Sequence, residues 1–247
     1  MTDIVLRKDH ESWTELTLNR PDKLNSMNVE MFKRLRSHIL DLADDESVHC
    51  VVLRGAGRCF SAGHDLGDIA QGEDAPSRGW HSETLRLMEK MPKPVIAAVH
   101  GHCYTGALEV ALAADFIIAA GDARFGDTHA KFALTPVWGM SQRLPRRVGI
   151  ATAKRLMFTA DILDAEEAVR IGLAELVIDD DNFENEIASL AKRISANSPF
   201  SQAAVKRLLE ANDAQPIDAG LQREVMDSEG TGPDMEDRIA VFLSRSS

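Results

Sequence analysis

A single glutamate, Glu109, interrupts the run of residues 106–114, which is otherwise glycine, alanine, leucine and valine. Such a run reads as a buried helix. A carboxylate carried into an apolar interior must be paired, neutralised or put to chemical use. Two strand-to-helix junctions favour the last of these. In one, CVVLR leads to FSAGHDL and a helix start at His64; in the other, VIAAVHG leads to CYTGALE and a helix opening at Gly106. The first N–H groups of a helix lack an intrahelical acceptor and sit at the positive end of its dipole. Aimed at one point, the N–H groups of His64 and Gly106 would form an oxyanion hole. Either junction alone is ordinary, since small-residue turns before helices are usually structural. Glu109 follows Gly106 by three residues, so carboxyl and donor share a helix face. Burial would lift its pKa above the usual ~4.3, which suits a general acid/base near neutrality. The structural alternative is a glutamate salt-bridged across a subunit contact.

Other chemistry-bearing residues read more plainly. His100, His102 and Cys103 form an H-x-H-C sequence, and alternate strand residues share a face. Without a carboxylate or a second cysteine cluster, packing outweighs metal binding. Asp115 reads as a structural hydrogen-bonding residue. Arg143, Arg146 and Arg147 in RLPRRVG read as salt-bridging between subunits rather than as a phosphate site.

The elements that must position these residues alternate between strand and helix. ESWTELTLNR alternates as a strand, and NVEMFKRLRSHILDLADD is an amphipathic helix with Met31, Leu35 and Ile39 on one face. HCVVLRG is a short strand, followed by a Gly/Ser loop and a polar stretch around QGEDAPSRGW. SETLRLMEKM is a helix ended by MPKP. VIAAVHG, GALEVALAA and DFIIAAG read as strand, helix and strand. From TAKRLMFTA onward the chain reads as mainly helical, and two or three helices close it. These elements predict an α/β core over residues 1–195 and a C-terminal helical region over 196–247.

In this order the segments are specific. RPDKLNSMN, FSAGHDL, KPVIAAVHGHCYTGALEVALAADFIIAA, ARFGDTHAKFALTPVWGMSQRLPRRVG, TADILDAEEAVRIGLAELVI and SPFSQAAVKRLL together resemble the crotonase superfamily, the enoyl-CoA hydratase/isomerase family, from about Leu18 to the C-terminus. The resemblance implies a crotonase-like α/β spiral of repeated strand–strand–helix units with a helical C-terminal region, assembled as a homotrimer or homohexamer. It implies an acyl-CoA thioester as ligand, with coenzyme A entering as part of the substrate and no metal or redox cofactor required. Carried over by position, the N–H groups of His64 and Gly106 would hold the thioester oxygen as it becomes an enolate. Lys23 and Leu24 match the segment along the adenine and phosphate end of the coenzyme. In the loop holding Ala62, Asp65 and Leu66, Ala62 and Leu66 match ligand contacts. Glu109 matches one of the two catalytic glutamates of the hydratases.

The second of those glutamates aligns, without a gap, with His129, and the glycine-rich stretch that should follow reads Val137-Trp138-Gly139. His129 either takes over the missing acid, since histidine titrates near neutrality, or merely fills space and bonds Asp127. The resemblance therefore implies a hydratase-like lyase of fatty-acid-type acyl-CoA metabolism. The alternatives are an enoyl-CoA isomerase, a malonyl-type acyl-CoA decarboxylase (AGHD also occurs there) and a non-catalytic acyl-CoA-binding protein.

Composition bounds the partners. Of 247 residues, 28 are basic and 39 acidic, a formal charge of −11, which argues against nucleic acid or an anionic membrane surface. No apolar run is long enough for a membrane span. Cys50, Cys59 and Cys103 are odd in number and scattered, which suggests reduced thiols and, with no targeting segment, a cytoplasmic location.

Overall fold

Period-two alternation organises the larger sheet. The computed structural model describes residues 3–210 and 216–245. Val5–Asp9 (β1) pairs antiparallel with Trp13–Leu18 (β2), and β2 starts a parallel run through Cys50–Gly55 (β3), Val95–Val99 (β4), Phe116–Ala120 (β6) and Leu176–Ile178 (β9). Val51, Leu53, Val95, Ala97 and Val99 face one core, where they meet Val29–Asp44 (α1), Trp80–Lys90 (α3) and Gly106–Ala111 (α4). Cys50, Val52, Ile96 and Ala98 face the other, against Phe183, Ile187 and Ala191 of Phe183–Ser195 (α8). A parallel sheet covered on both faces needs such continuous apolar strands. Asn28 starts α1 by accepting a 3.0 Å bond from the Met31 N–H, an ordinary N-cap.

The second sheet is built from much shorter pieces. His102–Tyr104 (β5) pairs parallel with Arg124–Gly126 (β7), which pairs antiparallel with Leu163–Asp164 (β8). Single bridges continue the ladder, Ser61 to Cys103 and Met27 to His64. Each turn of chain thus gives one strand to the large sheet and one short rung to the small one before a helix begins. That is the spiral of strand–strand–helix units the resemblance implies. After the rungs come α1, Leu66–Gln71 (α2), α4 and a 3-10 turn at His129–Phe132.

The later chain is mainly helical: Met140–Val148 (α5), Ile150–Thr159 (α6), Ala165–Arg170 (α7), α8, Pro199–Glu210 (α9), Ile217–Met226 (α10) and Met235–Arg245 (α11). Asp115 fastens α9 to the core, its Oδ2 accepting from Val95 N at 2.8 Å and Lys206 Nζ at 2.7 Å. The last helices leave Val205, Leu209, Ile217, Leu221, Val225 and Phe242 exposed. Among the described residues no helix is long and apolar enough to cross a membrane.

Three boundaries differ from the sequence reading. The helix expected to start at His64 starts at Leu66, with Asp65 as its N-cap, so the His64 N–H precedes the helix. The helix of GALEVALAA stops at Ala111, where Ala113 and Ala114 form tighter turns to Val110 and Ala111 so that the Asp115 N–H can reach Val95 O. β9 lies inside the stretch read as helical, being too short to display alternation.

Candidate active site

The rungs of the small sheet deliver the site. Gly63 (φ +104°) runs so close to Tyr104 that an added Cβ would lie 2.6 Å from its carbonyl oxygen, and only glycine fits there. A Cβ on Gly106 would lie 3.2 Å from His64 N, so the two expected donors are side by side. Neither N–H bonds another group among the described residues. Thr105 turns Gly106 inward at φ +53°, ψ −110°, a strained backbone for a branched residue. Three contacts hold it: its N–H to Gly126 O at 2.8 Å, its hydroxyl to Thr128 Oγ1 at 2.5 Å, and the Thr128 N–H to that hydroxyl at 3.1 Å.

Glu109 is 1% exposed. Its Oε1 accepts the N–H groups of Trp138 and Met140, each at 2.9 Å, leaving Oε2 for other use. Burial raises its pKa, opposed by the Met140 and Trp138 N–H groups and by His129. The carboxyl is therefore fixed, dry and readier to hold a proton than an ordinary glutamate.

His129 is buried, bonds Asp127 and also faces Glu109. Its Nδ1 lies 2.6 Å from Asp127 Oδ1, and the same oxygen accepts the His129 N–H at 3.1 Å. Its Nε2 lies 3.9 Å from Glu109 Oε2. A carboxylate at Nδ1 keeps the proton of the neutral ring on that side, so Nε2 presents a lone pair toward Glu109. The arrangement is Asp127, His129, a gap, then Glu109. Asp127 Oδ2 is buried without a partner, which leaves a free acceptor on the carboxylate that orients the ring.

Glu109, His129, His64 and Gly106 line one cavity of about 660 Å3, together with Ala62, Leu66, Ile69, Glu73, Phe132, Leu134, Val137 and Trp138. Ala62 and Leu66, expected as ligand contacts, are both part of this lining. Lys23 and Leu24 lie just outside the lining, on and after the exposed turn Pro21–Lys23, and Leu24 O accepts the Ala62 N–H at 2.9 Å. Asp65 caps α2 and pairs with Arg20 at 2.9 Å; burial works against its ionisation, but Arg20, the Gly67 N–H and Ser26 bring its pKa below the usual range.

The remaining candidates stand apart from the cavity. His100 Nε2 meets Gly57 O, His102 stacks on Tyr104, and Cys103 is fully buried in the core. Within the chain, Arg143 pairs with Glu89 and Arg147 with Glu175. Glu89 lies in α3 and Glu175 immediately before β9.

Sequence reasoning passed over Thr105, Glu73 and His81. Glu73 Oε1 lies 2.9 Å from His64 Nε2 and 3.2 Å from His81 Nε2, and both rings pack on Trp138. Burial lowers the His81 pKa, with Glu73 opposing and His64 adding to the effect. No motif marks these residues, because loop placement alone brings them together.

Comparison with known proteins agrees with this geometry. The profile of the enoyl-CoA hydratase/isomerase family matches residues 8–236. The chain is 32% identical to a short-chain-enoyl-CoA hydratase of Clostridium acetobutylicum, over 99% of its own length and 96% of the relative's. It is 31% identical to a 1,2-epoxyphenylacetyl-CoA isomerase of Escherichia coli, over 100% and 98%. An enoyl-CoA hydratase structure from Bacillus anthracis superposes with a TM-score of 0.93 at 29% identity, covering 98% of this chain and 97% of that one.

Proposed function

The chain belongs to the enoyl-CoA hydratase/isomerase family, the crotonase superfamily, and from that premise we propose that it hydrates a 2-enoyl-CoA, with His129 in the role of the second catalytic glutamate. The 3.9 Å gap between Glu109 Oε2 and His129 Nε2 carries this reading. It is too long for a direct hydrogen bond, yet one water about 2.8 Å from each atom would touch both.

In the reaction, His129 Nε2 takes a proton from that water while its oxygen bonds to C3. The C2=C3 electron pair moves to the thioester oxygen, held by the N–H groups of His64 and Gly106. Protonated Glu109 gives its proton from Oε2 to C2, forming the 3-hydroxyacyl-CoA. Asp127 stabilises the imidazolium. The proton then returns from His129 to Glu109 across the gap, through the next water.

Lys23 and Leu24, beside the cavity mouth, suit the coenzyme end, with Ala62 and Leu66 along the thioester arm. The exposed apolar faces of α9, α10 and α11 suit burial in a homotrimer or homohexamer. Double-bond isomerisation by Glu109 alone is the second reading, since the family model covers hydratases and isomerases alike. Incubation with crotonyl-CoA in 18O-labelled water separates them. Loss of enoyl-thioester absorbance with label in the product is expected; double-bond migration without label would overturn hydration.

A further inference from the structure

The cavity is mainly apolar, with Leu66, Ile69, Phe132, Leu134, Val137 and Trp138 suited to an acyl chain. Besides Glu109, its charged lining residues are Lys131 and Glu73. Glu73 Oε1 is taken by His64 Nε2 at 2.9 Å. No group among the described residues bonds its Oε2. Behind it, the buried His81 keeps Nε2 without any hydrogen-bond partner, although that nitrogen is 3.2 Å from Glu73 Oε1. The cluster is locked from behind, since Trp138 packs on His64 and His81, and Phe32 meets both His81 and Trp138 edge-on. The result is a fixed carboxylate with one acceptor oxygen to spare, inside a pocket that should otherwise prefer hydrocarbon.

An apolar acyl tail drawn against Glu73 would strip water from that oxygen and return nothing. A tail carrying a hydroxyl would replace the lost water with a charge-assisted bond. We infer that Glu73, anchored by His64 and backed by His81, is a specificity subsite for acyl-CoA thioesters bearing a hydrogen-bond donor, a hydroxyl group, on the acyl chain beyond C3. The inference rests on the acyl-CoA reading above and adds the class of acyl group.

His64 links this subsite to the chemistry. Its backbone N–H belongs to the oxyanion pair, and its imidazole is held by the carboxylate that reads the tail. A correctly substituted tail therefore engages the residue that also positions one oxyanion donor.

Saturated thioesters test recognition apart from catalysis. Calorimetry would compare hexanoyl-CoA with its 4-, 5- and 6-hydroxy analogues, on wild type and on Glu73→Leu and Glu73→Gln, each checked for an unchanged melting transition. At least one hydroxy analogue is expected to bind wild type about 10–100-fold tighter than hexanoyl-CoA. Glu73→Leu should abolish that preference and tighten hexanoyl-CoA binding, and Glu73→Gln should keep part of it. Equal affinity of all four ligands for wild type would overturn the inference, as would a hydroxyl preference that survives Glu73→Leu. If the hydroxy analogues bind as expected but no enoyl thioester is hydrated, the hydration reading fails and the subsite stands. If no thioester binds, both fall.

Discussion

The indole of Trp138 lies on the α-carbon of Gly106: a Cβ there would come within 2.5 Å of Trp138 Cζ3. The glycine proposed as one oxyanion donor is thus also the floor beneath the aromatic ring whose backbone N–H holds Glu109. Gly106→Ala must displace that ring or the donor. Turnover of the best enoyl-CoA is expected to fall about 10²–10³-fold, with far-ultraviolet circular dichroism unchanged. Steady-state kinetics near the wild-type value would remove Gly106 from the oxyanion hole.

Glu109→Gln should lower turnover by about 10²–10⁴-fold while leaving acyl-CoA affinity nearly intact. The same variant tests the raised carboxyl pKa. Because burial lifts it, the folded protein binds this proton more tightly than the unfolded chain does. Its stabilising contribution is complete below the ordinary carboxyl range and is lost as pH rises through the raised folded value. Glutamine can still accept both N–H groups and carries no charge. Glu109→Gln should therefore melt above wild type at about pH 7.5, and the difference should shrink toward about pH 4. A difference that stays constant across that range would contradict the shift.

His129→Ala separates the two proton carriers. Hydration is expected to drop at least about 10²-fold. Exchange of the α-protons of a saturated acyl-CoA with deuterated solvent, which needs only Glu109 and the oxyanion donors, should persist at a substantial fraction of the wild-type rate. Equal loss of both activities would mean that His129 supports Glu109 instead of handling water.

Asp127→Asn acts one step further back. It removes the carboxylate that fixes the His129 ring and stabilises its charged form, so kcat should fall more than KM rises. A change in KM alone would make Asp127 a packing residue.

Lys23 is tested through ionic strength. If it meets a coenzyme phosphate, wild-type affinity for coenzyme A falls as salt is added, and Lys23→Ala binds more weakly with a shallower dependence. Titrations at low and high salt giving parallel lines for both proteins would take Lys23 out of the site.

Glu109 stood out because a charge in an apolar run breaks a local rule, whereas His64 and Gly106 stood out only as a pair, each junction being ordinary by itself. The strands of the large sheet were legible for a related reason, since β3 and β4 are continuous apolar stretches. The three-residue rungs β5 and β7 were not, because so short a strand carries no period. His129 could be placed but not interpreted, as its meaning depends on two distances, 2.6 Å to Asp127 and 3.9 Å to Glu109. Glu73 and His81 lie in and after a polar stretch that gives no hint of facing the cavity. Thr105 was silent as well, because nothing in a threonine announces a left-handed backbone. Its φ is imposed by Gly126 and Thr128 from the next turn of chain.

The short rungs make the catalytic centre a set of interchangeable slots. Successive turns each contribute an exit position, at His64, at Gly106 and Glu109, and at Asp127 and His129, while the hydrogen bonds that stack the rungs are made by backbone. A side chain at one exit can be exchanged without disturbing the ladder beneath it. On the reading proposed above, an imidazole in place of a carboxylate at position 129 is such an exchange: the scaffold stays in place while the proton chemistry is rewritten. The slots lie between positions 64 and 129 and converge only when those turns have stacked, so a chain cut within that span keeps no complete centre.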